Sequence, residues 1–145
     1  MAEIDTPEFG KVIFELVSPE RIVISETVEM VVIPGTEGDF GVLRGHEALI
    51  SSIRPGTIKI YRDDIVTETI FIASGFAEVT PERCTVLADN AVCASDLDSA
   101  KVAEELALAT VSYEAGKGSD DIDTVMALDL ALRIAAAKQE AVDAR

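Results

Sequence analysis

All five prolines and seven of the nine glycines in this 145-residue chain lie before residue 82, and beyond Asp96 there is no proline. Proline and glycine punctuate runs of short strands and are costly inside helices, so the chain must hold two kinds of structure. Six of the seven aromatic residues also fall in the first part, Tyr113 being the exception, whereas the second part is rich in alanine, leucine and acids. The boundary is expected near residues 93–96. Residues 1–94 read as an antiparallel β-sandwich or flattened barrel and residues 95–145 as a two-helix antiparallel hairpin, an α+β chain.

The first part is a series of short β-prone runs. Val12–Val17 is closed by Ser18-Pro19, then come Arg21–Ser25 and Val28–Ile33 with a reversal expected near Thr27. Thr57–Arg62 alternates in period two, which places Ile58 and Ile60 on one face and Lys59 and Tyr61 on the other. Arg62-Asp63-Asp64 reads as a hairpin turn into Ile65–Ile72. Gly75–Thr80, Arg83–Ala88 and Ala91–Ser95 follow, with turns at Pro81-Glu82 and Asp89-Asn90. Eight to ten strands at this spacing predict a sandwich or flattened barrel, with Pro34, Pro55 and Pro81 at strand ends.

Within this region Val32–His46 reads VIPGTEGDFGVLRGH, with glycines at 35, 38, 41 and 45. Their spacing invites comparison with a phosphate-cradling loop, but the Gly-Lys-Ser/Thr ending is missing and Glu37 and Asp39 would repel a phosphate. Strand, tight turn, short strand and second turn is the better reading. Glycine supplies positive φ at each reversal, and Phe40, Val42 and Leu43 reach into the core.

The second part opens at Ser95-Asp96-Leu97-Asp98, a polar cap with acids at the positive end of a helix dipole. Leu97, Ala100, Ala103, Leu106 or Ala107, Thr110 and Tyr113 recur at helical spacing. Gly116-Lys117-Gly118-Ser119 ends this helix; it lacks the upstream glycine and preceding strand of a phosphate loop. Ser119–Asp123 restarts a helix to about Ala141, whose apolar residues (Ile122, Val125, Met126, Leu128, Leu130, Leu132 and Ile134) nearly encircle it. A short connector makes the pair an antiparallel hairpin. So broad an apolar surface has to lie against the sandwich or another protein.

The net charge of −15 argues against nucleic acid and anionic membrane surfaces, which need lysine and arginine. No apolar run is long enough to span a bilayer, and the N-terminal MAEIDTPEFGK lacks the apolar core of a secretory signal. Cys84 and Cys93 read as small buried apolar residues in a cytoplasmic chain, not as a disulfide, metal pair or nucleophile. No metal-ligand spacing occurs: Asp120-Asp121-x-Asp123 is too compact for an EF-hand and resembles a helix start. His46 is the single histidine, and catalysis would require an orienting acid such as Asp39 or Glu47 beside it. On a strand Glu47 points to the opposite face, so His46 reads as a turn or contact residue and no catalytic residue is assigned.

The string Pro34-Gly35-x-Glu37-Gly38-Asp39-Phe40-Gly41-Val42-Leu43-x-Gly45-His46, with Leu49 and Arg54-Pro55-Gly56, resembles the epsilon subunit of bacterial F-type ATP synthases. Phe14–Pro19 upstream and Ser74-Gly75-Phe76, Val79 and Thr85–Asp89 downstream extend the likeness over most of the first 95 residues. Arg44 stands where that family usually has proline, and Glu47-Ala48 where Ala-Pro is common.

The resemblance implies a non-catalytic rotor subunit of the central stalk that couples proton translocation to ATP synthesis and needs no cofactor. Its sandwich would dock on the gamma subunit and the c-ring, peripherally, at the cytoplasmic face of the bacterial inner membrane, without inserting into the bilayer. By motif position Glu37, Gly38 and Asp39 would face the c-ring loops, and Ser18 and His46 would lie near gamma. The helices of relatives can also reach the catalytic alpha/beta ring and restrain hydrolysis, and some bind ATP. From Asp96 onward this chain has five Lys/Arg against eleven Asp/Glu, a balance of −6 that would repel an acidic target. The nucleotide motif keeps Asp98 but has Lys101 for arginine and Val102 for alanine, and lysine lacks the planar fork that grips phosphate. Arg133 falls near a second-helix arginine. Weak or absent nucleotide binding at Asp98, Lys101 and Arg133, and weak inhibition, are expected. The competing reading is a free-standing β-sandwich binding module that dimerises through Leu128, Leu132 and their neighbours.

Overall fold

The computed structural model describes residues 10–19 and 22–145. Arg21, the expected start of the second strand, and the N-terminal residues 1–9 lie outside the described residues. The chain forms two compact units divided between Cys93 and Ala94.

The first unit holds β1 (Val12–Val17), β2 (Ile22–Val28), β3 (Met30–Gly35), β4 (Gly38–Val42) and β5 (Leu49–Ile53). They are followed by β6 (Gly56–Arg62), β7 (Ile65–Ile72), β8 (Ser74–Val79), β9 (Arg83–Asp89) and the short β10 (Val92–Cys93). Hydrogen bonding runs β10-β7-β6-β3-β5-β8-β9-β1-β2, with β4 also on β3. Between β3 and β5 the path narrows to a single residue pair, Gly35 with Ile53. The unit is therefore a β-sandwich of two five-strand layers that meet at one joint. All pairings are antiparallel except β1 with β9, which aligns Ile13 to Val17 in parallel with Arg83 to Leu87.

The layers face each other through side chains that alternate along each strand. Val12, Phe14 and Leu16, Val31 and Ile33, Ile58 and Ile60, Ile70 and Ile72, Ala77 and Val79, and Cys84, Val86 and Ala88 form one buried cluster. Among the described residues no polar or charged side chain is buried, so apolar burial and dispersion hold the layers together. Arg83 and Glu15 pair across β1 and β9 at the edge of this core. The Asp63-Asp64 turn is a two-residue hairpin in which both residues take positive φ, as a tight turn matched to strand twist requires.

Four sequence expectations change. The reversal placed at Thr27 is a corner at Glu29, where the chain leaves β2 for β3 in the other layer, and the two strands do not pair. Leu43, expected in the core, is exposed because β4 ends at Val42. Cys84 is fully buried as expected, but Cys93 is exposed on β10, and no disulfide joins them. The last expected strand, Ala91–Ser95, is cut to two residues by a 3-10 turn at Ala94–Asp96.

The second unit contains α1 (Ser99–Gly116) and α2 (Ile122–Asp143). Asp98 caps α1, one turn later than Ser95, by accepting from the amides of Ala100 and Lys101 at 3.0 and 3.2 Å. Asp121 caps α2 through the amide of Asp123 at 3.1 Å and accepts from the Thr124 hydroxyl at 2.9 Å. Lys138 of α2 meets Glu105 of α1 at 3.1 Å, while Leu128 lies where any side chain on Gly116 would go, so the helices run antiparallel. The less exposed positions of α1 are Val102, Leu106, Ala109, Tyr113 and Gly116. Of the expected stripe, Leu97, Leu106 and Tyr113 are partly covered, whereas Ala100, Ala103, Ala107 and Thr110 are exposed. Alanine on every side leaves helix phase undetermined, and the larger Val102 and Leu106 decide it.

A Cβ on Gly75 would overlap the Leu87 carbonyl oxygen and sit 3.1 Å from the Ala88 Cα, both backbone of the paired strand β9. Gly75→Ala is expected to destabilise the sandwich by about 3 kcal/mol, and Gly118→Ala, in open space, by under about 0.5 kcal/mol. Urea midpoints of the two variants measure the difference. Burial pushes the Cys84 thiol from its ordinary value up to about 12. Between pH 9 and about 12 the unfolded chain releases a proton that the folded chain keeps, so stability falls as pH rises through that window. Cys84→Ala is expected to show a shallower alkaline loss in urea melts, and parallel curves would refute this.

Candidate functional site

The β3–β4 hairpin is the most strongly determined feature of the unit's rim. Gly35 pairs with Gly38, leaving Thr36-Glu37 as a two-residue turn. Gly38 (φ 131°) and Gly45 (φ 87°) take positive φ in this stretch, one at each of the two expected reversals. Gly35 is required for a different reason: a Cβ there would lie 2.9 Å from the Phe40 ring and 2.9 Å from the Gly38 carbonyl oxygen. Gly41 leaves room for Met30, whose sulfur would sit 3.3 Å from a Cβ.

Arg54 holds this hairpin from the neighbouring layer. Its amide donates to the Pro34 carbonyl at 3.0 Å, and its guanidinium donates to the Gly35 carbonyl and to the Asp39 carboxylate. The Thr36 amide donates to the Ser52 carbonyl at 3.1 Å. Planar guanidinium geometry suits two acceptors side by side, which lysine could not match. Sequence reading noted Arg54 only as part of a motif. Its role escaped because its partners lie 15 and 19 residues away and meet it only across the joint.

The expected contact residues fall as follows. Glu37 and Gly38 are exposed at the hairpin tip, and Asp39 is exposed but paired with Arg54. The tip borders a groove of about 410 Å³ shared with Phe40, Leu49, Ile50 and Ser51, in which Ile50 is 72% exposed. Ser18 is half-buried just after β1. His46 is half-buried; its Nδ1 donates to the Glu47 carbonyl at 2.7 Å, and its ring centroid is 6.4 Å from that of Phe40. Its imidazole is thus held by backbone, while the Asp39 carboxylate is engaged by Arg54, so neither acid named with His46 orients it.

In the second unit Asp98 is occupied as a helix cap. Lys101 borders a groove with Leu108, Ser112 and Leu128, whereas Arg133 borders a different one with Tyr113, Met126 and Leu130. Among the described residues no cluster of acids, histidines and cysteines is placed to hold a metal ion. No helix among them is long and apolar enough to cross a membrane.

Fold and rim together define a β-sandwich with a helical hairpin whose polar groups fix turns and caps. A family model, the ATP synthase delta/epsilon chain β-sandwich domain, matches residues 11–94. An ATP synthase epsilon chain of Granulibacter bethesdensis is 42% identical over 130 residues, covering 90% of this chain and 93% of that one. One of Rhodospirillum rubrum is 56% identical over 92 residues, which is 63% of this chain and 65%, just under two thirds, of the relative. A chain in a cryo-EM structure of Euglena gracilis mitochondrial ATP synthase (OSCP/F1/c-ring) superposes with a TM-score of 0.78 at 25% identity. That superposition covers 94% of this chain and 88% of the other. A chain of the Tetrahymena thermophila central stalk/c-ring structure shares the fold, with TM-score 0.66 and 12% identity over 94% of this chain and 98% of that one. The chain belongs to the family of ATP synthase epsilon chains, whose members are non-catalytic subunits of that complex.

Removing Arg54 takes away one carbonyl contact and one exposed ion pair. Arg54→Ala is therefore expected to cost about 1–2 kcal/mol and Asp39→Asn under about 1 kcal/mol, since exposed ion pairs contribute little. A urea midpoint lowered as much by Asp39→Asn as by Arg54→Ala would show that the carbonyl contact contributes nothing.

Proposed function

We propose that this chain is a rotor subunit of the central stalk, coupling proton translocation to ATP synthesis without catalysing a step itself. The observation that carries the reading is likeness over nearly the whole chain, both units included, to a subunit within an ATP synthase F1/c-ring assembly. In this reading the sandwich docks on gamma and the c-ring, and the complex sits at the cytoplasmic face of a bacterial inner membrane. The exposed Glu37 and Gly38 tip, with Asp39 fixed by Arg54, offers an acidic hairpin of defined shape to basic loops of the ring. Charge complementarity there would set register and association rate more than affinity. Ser18 and His46 contact gamma.

The helical hairpin is a weak brake in this reading. Its balance of −6 opposes docking on an acidic catalytic surface. Asp98 already caps α1, and Lys101 and Arg133 border separate grooves, which supports weak or absent nucleotide binding. In the dimerising-module alternative Leu128, which packs on Gly116 of α1, and the half-buried Leu132 are poorly offered to a second chain, whereas their neighbours Met126 and Leu130 are exposed.

Reconstitution tests the proposal. Adding this protein to a cognate ATP synthase stripped of its epsilon chain is expected to restore proton-coupled ATP synthesis while changing hydrolysis little. Absence of recovered synthesis would overturn the coupling role. Strong suppression of hydrolysis, relieved by deleting residues 95–145, would overturn the weak-brake reading.

A further inference from the structure

Arg145 follows directly on the cap of α2, yet its guanidinium is spent at the start of α1. Nη1 donates to the carbonyls of Ala94 and Leu97 at 2.8 and 2.7 Å, and Nη2 donates to the Ser99 hydroxyl at 2.8 Å. These acceptors lie 46 to 51 residues back along the chain, in the 3-10 turn, just after it and at the first residue of α1. Only the closed antiparallel hairpin brings them within reach. The nearby Asp98 carboxylate is used by the amides of Ala100 and Lys101, so Arg145 is held by neutral acceptors alone.

We propose that Arg145 is a latch: it fastens the end of α2 to the turn from which α1 starts, and the base of the hairpin stays closed only while it is engaged. The inference does not depend on the ATP synthase reading. One side chain supplies three hydrogen bonds from a charged donor, each stronger than a neutral pair, and two of them go to carbonyls at the 3-10 turn and the residue after it. The Lys138–Glu105 pair links the same two helices but is exposed, where such pairs contribute little. A guanidinium that is itself exposed and meets no carboxylate holds by geometry, so losing one bond loosens the others. Fraying at the end of α2 and at the start of α1 therefore becomes one event.

Hydrogen–deuterium exchange on the full chain tests this, because amides at both places are bonded: Val102 to Asp98 in α1 and Ala144 to Glu140 in α2. Arg145→Ala is expected to speed exchange roughly three- to tenfold at residues 100–102 and at residues 141–144 together. Arg145→Lys, with one point charge in place of a fork, should fall between. Ser99→Ala is the sharper variant. Alanine favours helix, so α1 itself is not weakened, yet exchange at residues 141–144 should rise. Acceleration confined to residues 141–144 in Arg145→Ala is ordinary end fraying and overturns the latch. So does Ser99→Ala that leaves the end of α2 unchanged.

Discussion

The two layers of the sandwich are strand-paired at a single joint, and the geometry of the rim depends on it. Gly35 pairs with Ile53, Thr36 bonds Ser52, and Arg54 bonds Pro34 with its amide and Gly35 with its guanidinium. The core between the layers is apolar and mostly aliphatic, with Phe14 as its largest member, and apolar attraction is not directional. Such a core resists separation of the layers but does little to fix how one is turned on the other. The joint supplies direction, together with the Arg62–Glu26 ion pair that links β6 to β2 across the layers. Gly35 lets the Phe40 ring close over it, and Arg54 then locks the hairpin through Asp39.

Much of the sandwich was legible from the sequence because period-two alternation is a local signal. Ile58 and Ile60, with Lys59 and Tyr61 on the opposite face, fell as expected, and so did the Asp63-Asp64 turn. What failed was set by distant pairing. Nothing local distinguishes a hairpin at Thr27 from a corner at Glu29, since the choice depends on β2 joining β1 and β3 joining β6. Leu43 looked like a core residue, but the strand ends one position earlier and the side chain is left outside. In α1 the abundance of alanine hid which face is covered. Of the expected contact residues, Glu37 lies in the turn of the hairpin and Gly38 opens β4, and sequence could not show that Asp39 is tied to Arg54.

Some acids of the helical unit also have a plain structural role. Five of its eleven lie at residues 96–98 and 120–123, where each helix begins. Asp98 and Asp121 satisfy amides that a helix start leaves without partners, and their charge suits the positive end of the dipole. This clustering needs no ligand to account for it. The chain gains two firm helix starts from them.

The parallel pairing of β1 with β9 has a consequence in time. A chain emerging from the ribosome presents β1 first, and β2 can fold back on it within a dozen residues. The other edge of β1 stays open until β9, about seventy residues later, has been made. The layer containing both strands is thus completed last, by closing a long loop, and such non-local closure is slow. Until then Val12, Phe14 and Leu16 have no finished core to enter, and the nascent sandwich depends on whatever shields that edge.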